Sequence, residues 1–220
     1  MFDILLRPLK DQTFDPLCSV IPKSISPLQI TGAAFVSGAA SCVAAVFSRP
    51  WLSFSLWIFN RILDCLDGAV ARQRGQSSDL GGFLDLLSDF VIYSAIPICC
   101  ALGHTTAMDQ ASLQRRWFAV AAAEASFHVN NFVLFFVAAV TERKKTAEAK
   151  EGAEGKGASA KELTSVSMRP ALVEGMESGV LFTLMLALPE WTEILCWVLS
   201  AGVTIGIAQR VSWTVVALSK

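Results

Sequence analysis

Charge is scarce in this chain: Asp, Glu, Lys and Arg make up 17% of its 220 residues, whereas 53% are hydrophobic. Too little charge remains to coat an ordinary soluble domain, so a membrane protein is the first expectation. The formal net charge of -1 supplies no basic field for nucleic acid, and no nucleic-acid partner is expected. Cys18, Cys42, Cys65, Cys99, Cys100 and Cys196 contain no C-x-x-C pair and have no His at zinc-ligand spacing. That supports neither a zinc site nor a disulfide scaffold, and the cysteines in apolar runs read as small buried hydrophobes. A cleavable secretory signal is also missing, because MFDILLRPLKDQTFDPLC brings Asp, Arg, Lys and Pro in too early, so the first span is expected to be retained.

What the chain does have is long apolar runs. A hydrocarbon core of ~30 Å needs about 20 apolar residues per helix, and six segments qualify. They are Leu28–Phe47, Trp51–Ala71, Gly82–Leu102, Trp117–Val140, a fifth from Pro170 or Ala171 to Pro189, and Trp191–Leu218, which Arg210 interrupts. The fold class expected is all-α, a single polytopic membrane domain over residues 1–220. Residues 141–169, with almost no large apolar side chain, read as a flexible charged loop. Six spans put both termini on one side. Arg7, Lys10, Lys23, Arg72, Arg74 and the basic residues of 141–169 lie there, against Arg49, Arg115 and Arg116 opposite, which predicts cytoplasmic termini.

Four aspartates break the apolar pattern: Asp64 and Asp67 late in the second span, Asp85 and Asp89 early in the third. Insertion costs roughly 2.5 to 3.5 kcal/mol for each Asp at a span centre, so several together imply neutralisation or a cavity. Spacings of three and four put each pair on one helix face, and an antiparallel hairpin sets the two pairs opposite each other. Clustered hard oxygens suit two divalent ions, Mg2+ or Mn2+, able to clamp a pyrophosphate. Gly68 leaves room for a ligand beside Asp67, and Arg72 offers a fork for phosphate oxygens. Ordinary interfacial ion pairs and an ion or proton pathway remain open on the residues alone.

Read from Asp64 to Asp89, DCLDGAVARQRGQSSDLGGFLDLLSD fits D-x2-D-G-x2-A-R-x8-G-x3-D-x3-D at Asp64, Asp67, Gly68, Ala71, Arg72, Gly81, Asp85 and Asp89. In this the chain resembles the CDP-alcohol phosphotransferase family. The resemblance implies a six-helix membrane fold with its active site at the cytoplasmic interface. It makes Asp64, Asp67 and Asp85 metal ligands, Asp89 a second-metal ligand and general base, and Gly68 and Arg72 nucleotide and pyrophosphate contacts. Gly81 belongs to the same pocket, with Ser78 a weaker candidate. Where such proteins carry P-N-x-x-T, this chain has Pro27-Leu28-Gln29-Ile30-Thr31, with Leu28 in place of Asn. Gln29 and Thr31 are donor-contact candidates, with Thr31 as a helix N-cap the plain alternative.

FDILLRPL, FNRILDCLDGAVAR and PALVEGMES together resemble a branch described as similar to phosphatidylglycerophosphate synthase. That implies CDP-diacylglycerol as donor and glycerol 3-phosphate as leading acceptor, with inositol phosphate, inositol or serine behind it. Glu174 and Glu177 could orient a polar acceptor or complement a helix dipole. Arg210 resembles an acceptor-phosphate contact or else snorkels to the interface. His128, Asn130 and Asn131 read as interhelical hydrogen bonding. Membrane lipids and a homodimeric second copy complete the expected partners. The competing readings are an in-family CDP-choline or CDP-ethanolamine transferase, and a nonenzymatic ion-binding or transport protein.

Overall fold

A computed structural model describes residue 18 and residues 20–105, 108–151 and 175–219. Among these it contains six α-helices and no strand: α1 (Pro27–Val46), α2 (Pro50–Gln73), α3 (Asp79–Gly103), α4 (Gln110–Glu151), α5 (Gly175–Ala187) and α6 (Thr192–Leu218), with a 3-10 turn at Pro189–Trp191 before α6. Helices α1, α3, α6 and the Gln110–Arg143 part of α4 are long and apolar enough to cross a membrane. Helix α2 has the length, at 24 residues, but carries Arg61, Asp64, Asp67 and Arg72. The surface supports a lipid environment: Val36, Phe59, Phe83, Phe118, Phe132 and Val215 all lie exposed, the reverse of a water-facing protein.

Two expectations need correcting. The helix begun at Gln110 does not end at Val140 but runs on to Glu151, so residues 141–151 of the expected loop are helical. The segment TERKKTAEAKE is rich in Ala, Glu and Lys, strong helix formers that extend a helix already nucleated by the span. The rest of that stretch, and the start of the fifth span before Gly175, lie outside the described residues. The second correction concerns the start of α1. Its N-cap is Ser26, not Thr31: Ser26 Oγ accepts from Gln29 N at 3.3 Å while Gln29 Oε1 accepts from Ser26 N at 2.8 Å, with Pro27 at the first helical position.

Lacking a hydrophobic drive between helices in lipid, α1 and α2 join by close approach and hydrogen bonds. Ser41 Oγ donates to Ser53 O and Ser53 Oγ to Ser41 O, both at 2.8 Å, and both residues are fully buried. Ser37 Oγ donates to Leu56 O at 2.8 Å and Asn60 Nδ2 to Ala34 O at 2.7 Å, extending this seam toward the aspartates. Helix α3 also packs on α1, where Gly38 faces Ile92 as well as Asn60 of α2. The far ends of α1 and α3 are clasped by Ser48, whose φ is +54°, with its Oγ donating to Gly103 O. Below the aspartates, Trp57, Tyr93, Phe127 and Phe182 form an aromatic floor, tied to α5 by Trp57 Nε1 donating to Thr183 Oγ1 at 2.8 Å.

A Cβ on Gly103 would run into the Ala45 carbonyl oxygen, whereas one on Gly32 meets nothing within 4 Å. Gly103→Ala is therefore expected to destabilise the detergent-solubilised chain by about 1–3 kcal/mol. Gly32→Ala should be neutral or stabilising, by up to ~1 kcal/mol from helix propensity. Thermal unfolding of both variants checks the contrast.

Candidate active site

The hairpin of α2 and α3 turns through Gly75, whose φ of +62° suits a residue without a Cβ. Beyond it Ser78 caps α3, its Oγ accepting from Gly81 N at 3.1 Å. The hairpin sets the two aspartate pairs at the same end of the bundle, where α1 packs against both of its helices. The Asp64 and Asp85 side chains face each other across the hairpin, near enough to interact electrostatically. Asp67 is buried at 5% exposure, and its Oδ2 accepts from Thr31 Oγ1 at 2.6 Å, so α1 supplies a third wall. Thr31 thus belongs to the acidic site, and its hydroxyl, which also approaches Pro27 O at 3.2 Å, fixes the Asp67 rotamer.

Asp89 has both oxygens engaged. Oδ1 accepts from Arg61 Nη2 at 2.6 Å and Oδ2 from the Tyr93 hydroxyl at 3.1 Å. Arg61 also stands 3.6 Å from Asp64 Oδ2, so one guanidinium serves both helices. Sequence reasoning passed over Arg61 and Tyr93, although both were findable: each lies one helical turn from a signature aspartate, Arg61 before Asp64 and Tyr93 after Asp89.

The phosphate-binding candidates lie toward the rim. Arg72 is exposed, and its guanidinium folds back over Gly68, where a Cβ would sit 3.1 Å from Nη1. Arg74 holds the segment before α1 in place, donating to Ile25 O at 2.7 Å and Ile21 O at 2.8 Å. Gln29 and Ser78 are both engaged in helix capping. Arg210 does not snorkel: it is buried at 8% exposure and donates to Asn130 Oδ1 at 2.6 Å, because a polar partner on α4 costs less than carrying the charge along an apolar helix. Glu177 is half-buried at the start of α5, and Glu174 lies outside the described residues.

As the side chains stand, no three His, Cys, Asp or Glu residues among those described converge tightly enough to hold an ion. The donor set nevertheless suits a hard divalent cation. Two carboxyls facing each other, as at Asp64 and Asp85, repel unless a proton or cation lies between them. A positive group, Arg61, already bridges Asp64 and Asp89.

Known proteins share extended sequence similarity with this chain. The Escherichia coli (strain K12) inner membrane protein YnjF is 29% identical over 207 residues, covering 90% of each chain. The bifunctional IPC transferase and DIPP synthase of Archaeoglobus fulgidus is 36% identical over 92 residues, covering 41% of this chain and 19% of that protein. Residues 24–203, which include every signature aspartate and run from the segment before α1 into α6, match the CDP-alcohol phosphatidyltransferase family, and the chain belongs to that family.

Proposed function

We propose that this membrane enzyme transfers the phosphatidyl group of CDP-diacylglycerol to the hydroxyl of a small polar acceptor, glycerol 3-phosphate first among them, and releases CMP. Family membership carries the transfer of a phosphatidyl group from a CDP-alcohol. The observation that supports this particular site is the meeting of Asp64, Asp67, Asp85 and Asp89 on facing turns of α2 and α3. A transport path for ions would need the carboxylates but not the Gly68 and Arg72 cradle beside them. In this reading both termini and the open end of the site face the cytoplasm.

The four aspartates would hold two divalent ions, Mg2+ or Mn2+. Bound there, the ions supply positive charge against the donor pyrophosphate. Thr31 holds Asp67 to one rotamer through its 2.6 Å hydrogen bond, so this ligand enters the site preorganised. Arg72, lying across Gly68, presents its fork to phosphate oxygens from the rim. Asp89 takes the proton of the acceptor hydroxyl as its oxygen forms a bond to the lipid-side phosphorus. The bond from that phosphorus to the bridging oxygen breaks, and the electron pair leaves with CMP. The acceptor assignment rests on the sequence likeness of the opening FDILLRPL and of PALVEGMES.

Purified chain given CDP-diacylglycerol, Mg2+ or Mn2+ and one acceptor at a time should release CMP and form the matching phospholipid only with its own acceptor. Lipid mass spectrometry identifies the product, and inositol phosphate, inositol, serine and the CDP-choline and CDP-ethanolamine donors serve as comparison arms. Asp89→Asn is expected to lower the rate by about 100-fold or more, the scale of a lost general base. CMP release at the parental rate in that variant would remove Asp89 from its role.

Thr31→Val keeps the shape of the side chain and deletes the hydrogen bond to Asp67. A loss of about 1 kcal/mol, or ~5-fold in kcat/KM, is expected. More added Mg2+ should recover part of it. Titrating the metal at fixed substrate distinguishes this from a folding defect, which added metal would not repair.

A further inference from the structure

One strong cation in the acidic site is left unused by the reaction described above. Arg61 is three-quarters buried and held from several sides. Its Nε donates to Asn60 Oδ1 at 2.7 Å, Nη1 to the Tyr93 hydroxyl at 2.8 Å, and Nη2 to Asp89 Oδ1 at 2.6 Å. Its central carbon lies 4.5 Å from the centre of the Trp57 ring and 5.3 Å from that of Tyr93. Trp57 is itself fully buried and pinned to Thr183, while Asn60 is pinned to Ala34 O. The side chain therefore has a prepared seat in which stacking on two rings supports the charge.

We propose that Arg61 is a built-in counter-cation, which pairs with Asp89 and Asp64 in the metal-free chain and gives up Asp89 when a divalent ion binds. The proposal rests on the reading in which these aspartates hold metal. A monovalent guanidinium at 2.6 Å from Asp89 and 3.6 Å from Asp64 occupies the electrostatic place of part of an ion's charge. A second cation entering beside it is repelled, so Arg61 lowers metal affinity while offsetting the repulsion among the carboxylates. Arg72 and Arg74, which follow Arg61 on the same hairpin, are placed elsewhere. Arg72 lies over Gly68 at the exposed rim, and Arg74 is bound to carbonyl oxygens ahead of α1. When Asp89 turns to an ion, the stacking on Trp57 and Tyr93 and the bond to Asn60 keep Arg61 in place. It is a positioning residue, acting through Asp89.

The test measures Mn2+ binding to the detergent-solubilised full chain by electron paramagnetic resonance, with Mn2+ alone as probe. It is paired with thermal unfolding in chelator and in saturating Mn2+. Arg61→Gln is expected to bind Mn2+ about 10-fold more tightly than the parent, to melt lower in chelator, and to gain more from added Mn2+. Arg61→Lys, which keeps the charge, should stay within about 2-fold of the parent. If Arg61→Gln does not fold, Tyr93→Phe retains the ring but loosens the hold on Asp89, and a ~2-fold tightening is expected. Affinity unchanged or weakened in the glutamine variant, or in the phenylalanine variant used in its stead, would overturn the counter-cation while leaving the metal site standing. Failure of the parent chain to bind Mn2+ would overturn the site reading itself, and this inference with it.

Discussion

Mutual repulsion among four carboxylates is the constraint on which the rest of this molecule depends. Asp64, Asp67, Asp85 and Asp89 meet between two helices of an apolar bundle, where charge is poorly screened and each additional anion raises the cost of the last. Arg61 answers it from within α2, the Tyr93 hydroxyl from α3 and the Thr31 hydroxyl from α1. Each of the three donors reaches a carboxylate oxygen from a different helix. The cluster therefore depends on the tertiary arrangement of α1, α2 and α3 and could not be assembled by any one of them.

The same demand explains why this part of the bundle is joined by polar contacts. Ser37, Ser41, Ser53 and Asn60 follow one another along the α1–α2 seam, each bonded to a backbone oxygen of the facing helix. Such bonds have direction, which apolar contact in lipid lacks, and they fix rotation and register as well as distance. A slip of α1 by one residue would carry Thr31 away from Asp67. The register of the seam and the geometry of the site are thus one requirement, expressed at two depths.

Much of this was legible in the chain before any coordinates. Apolar length and the spacing of Asp64, Asp67, Asp85 and Asp89 give the hairpin and its acidic face, and the boundaries of α1, α2, α3 and α6 agree with those read from the sequence to within a few residues. Where the reading failed, the reason was local. Thr31 is a good capping residue, but Ser26 followed by Pro27 and Gln29 is better, which freed Thr31 to face Asp67. Residues 141–151 lack the apolar face that marks a packed helix, yet their composition favours helix once a span precedes them. Arg210 found Asn130 across two helices distant in sequence, a contact that no pattern along one strand of chain encodes. Arg61 escaped notice for the opposite reason: a lone Arg on a span reads as an interfacial residue until the rings of Trp57 and Tyr93 are seen beneath it.

The clasp at the far end of α1 and α3 has a mechanical side. Ser48 binds Gly103, and the Gly103 backbone lies against the Ala45 carbonyl with no side chain between, so the two helices meet backbone to backbone at the end away from the aspartates. Such a contact is a natural pivot for any tilt of α3 against α1. With a rise of 1.5 Å per residue, Asp89 stands roughly 20 Å along α3 from it, and a tilt of about 5° there would move the carboxylate by nearly 2 Å. A lever of that length turns a small adjustment at the quiet end of the bundle into a displacement as large as the difference between a hydrogen bond and none.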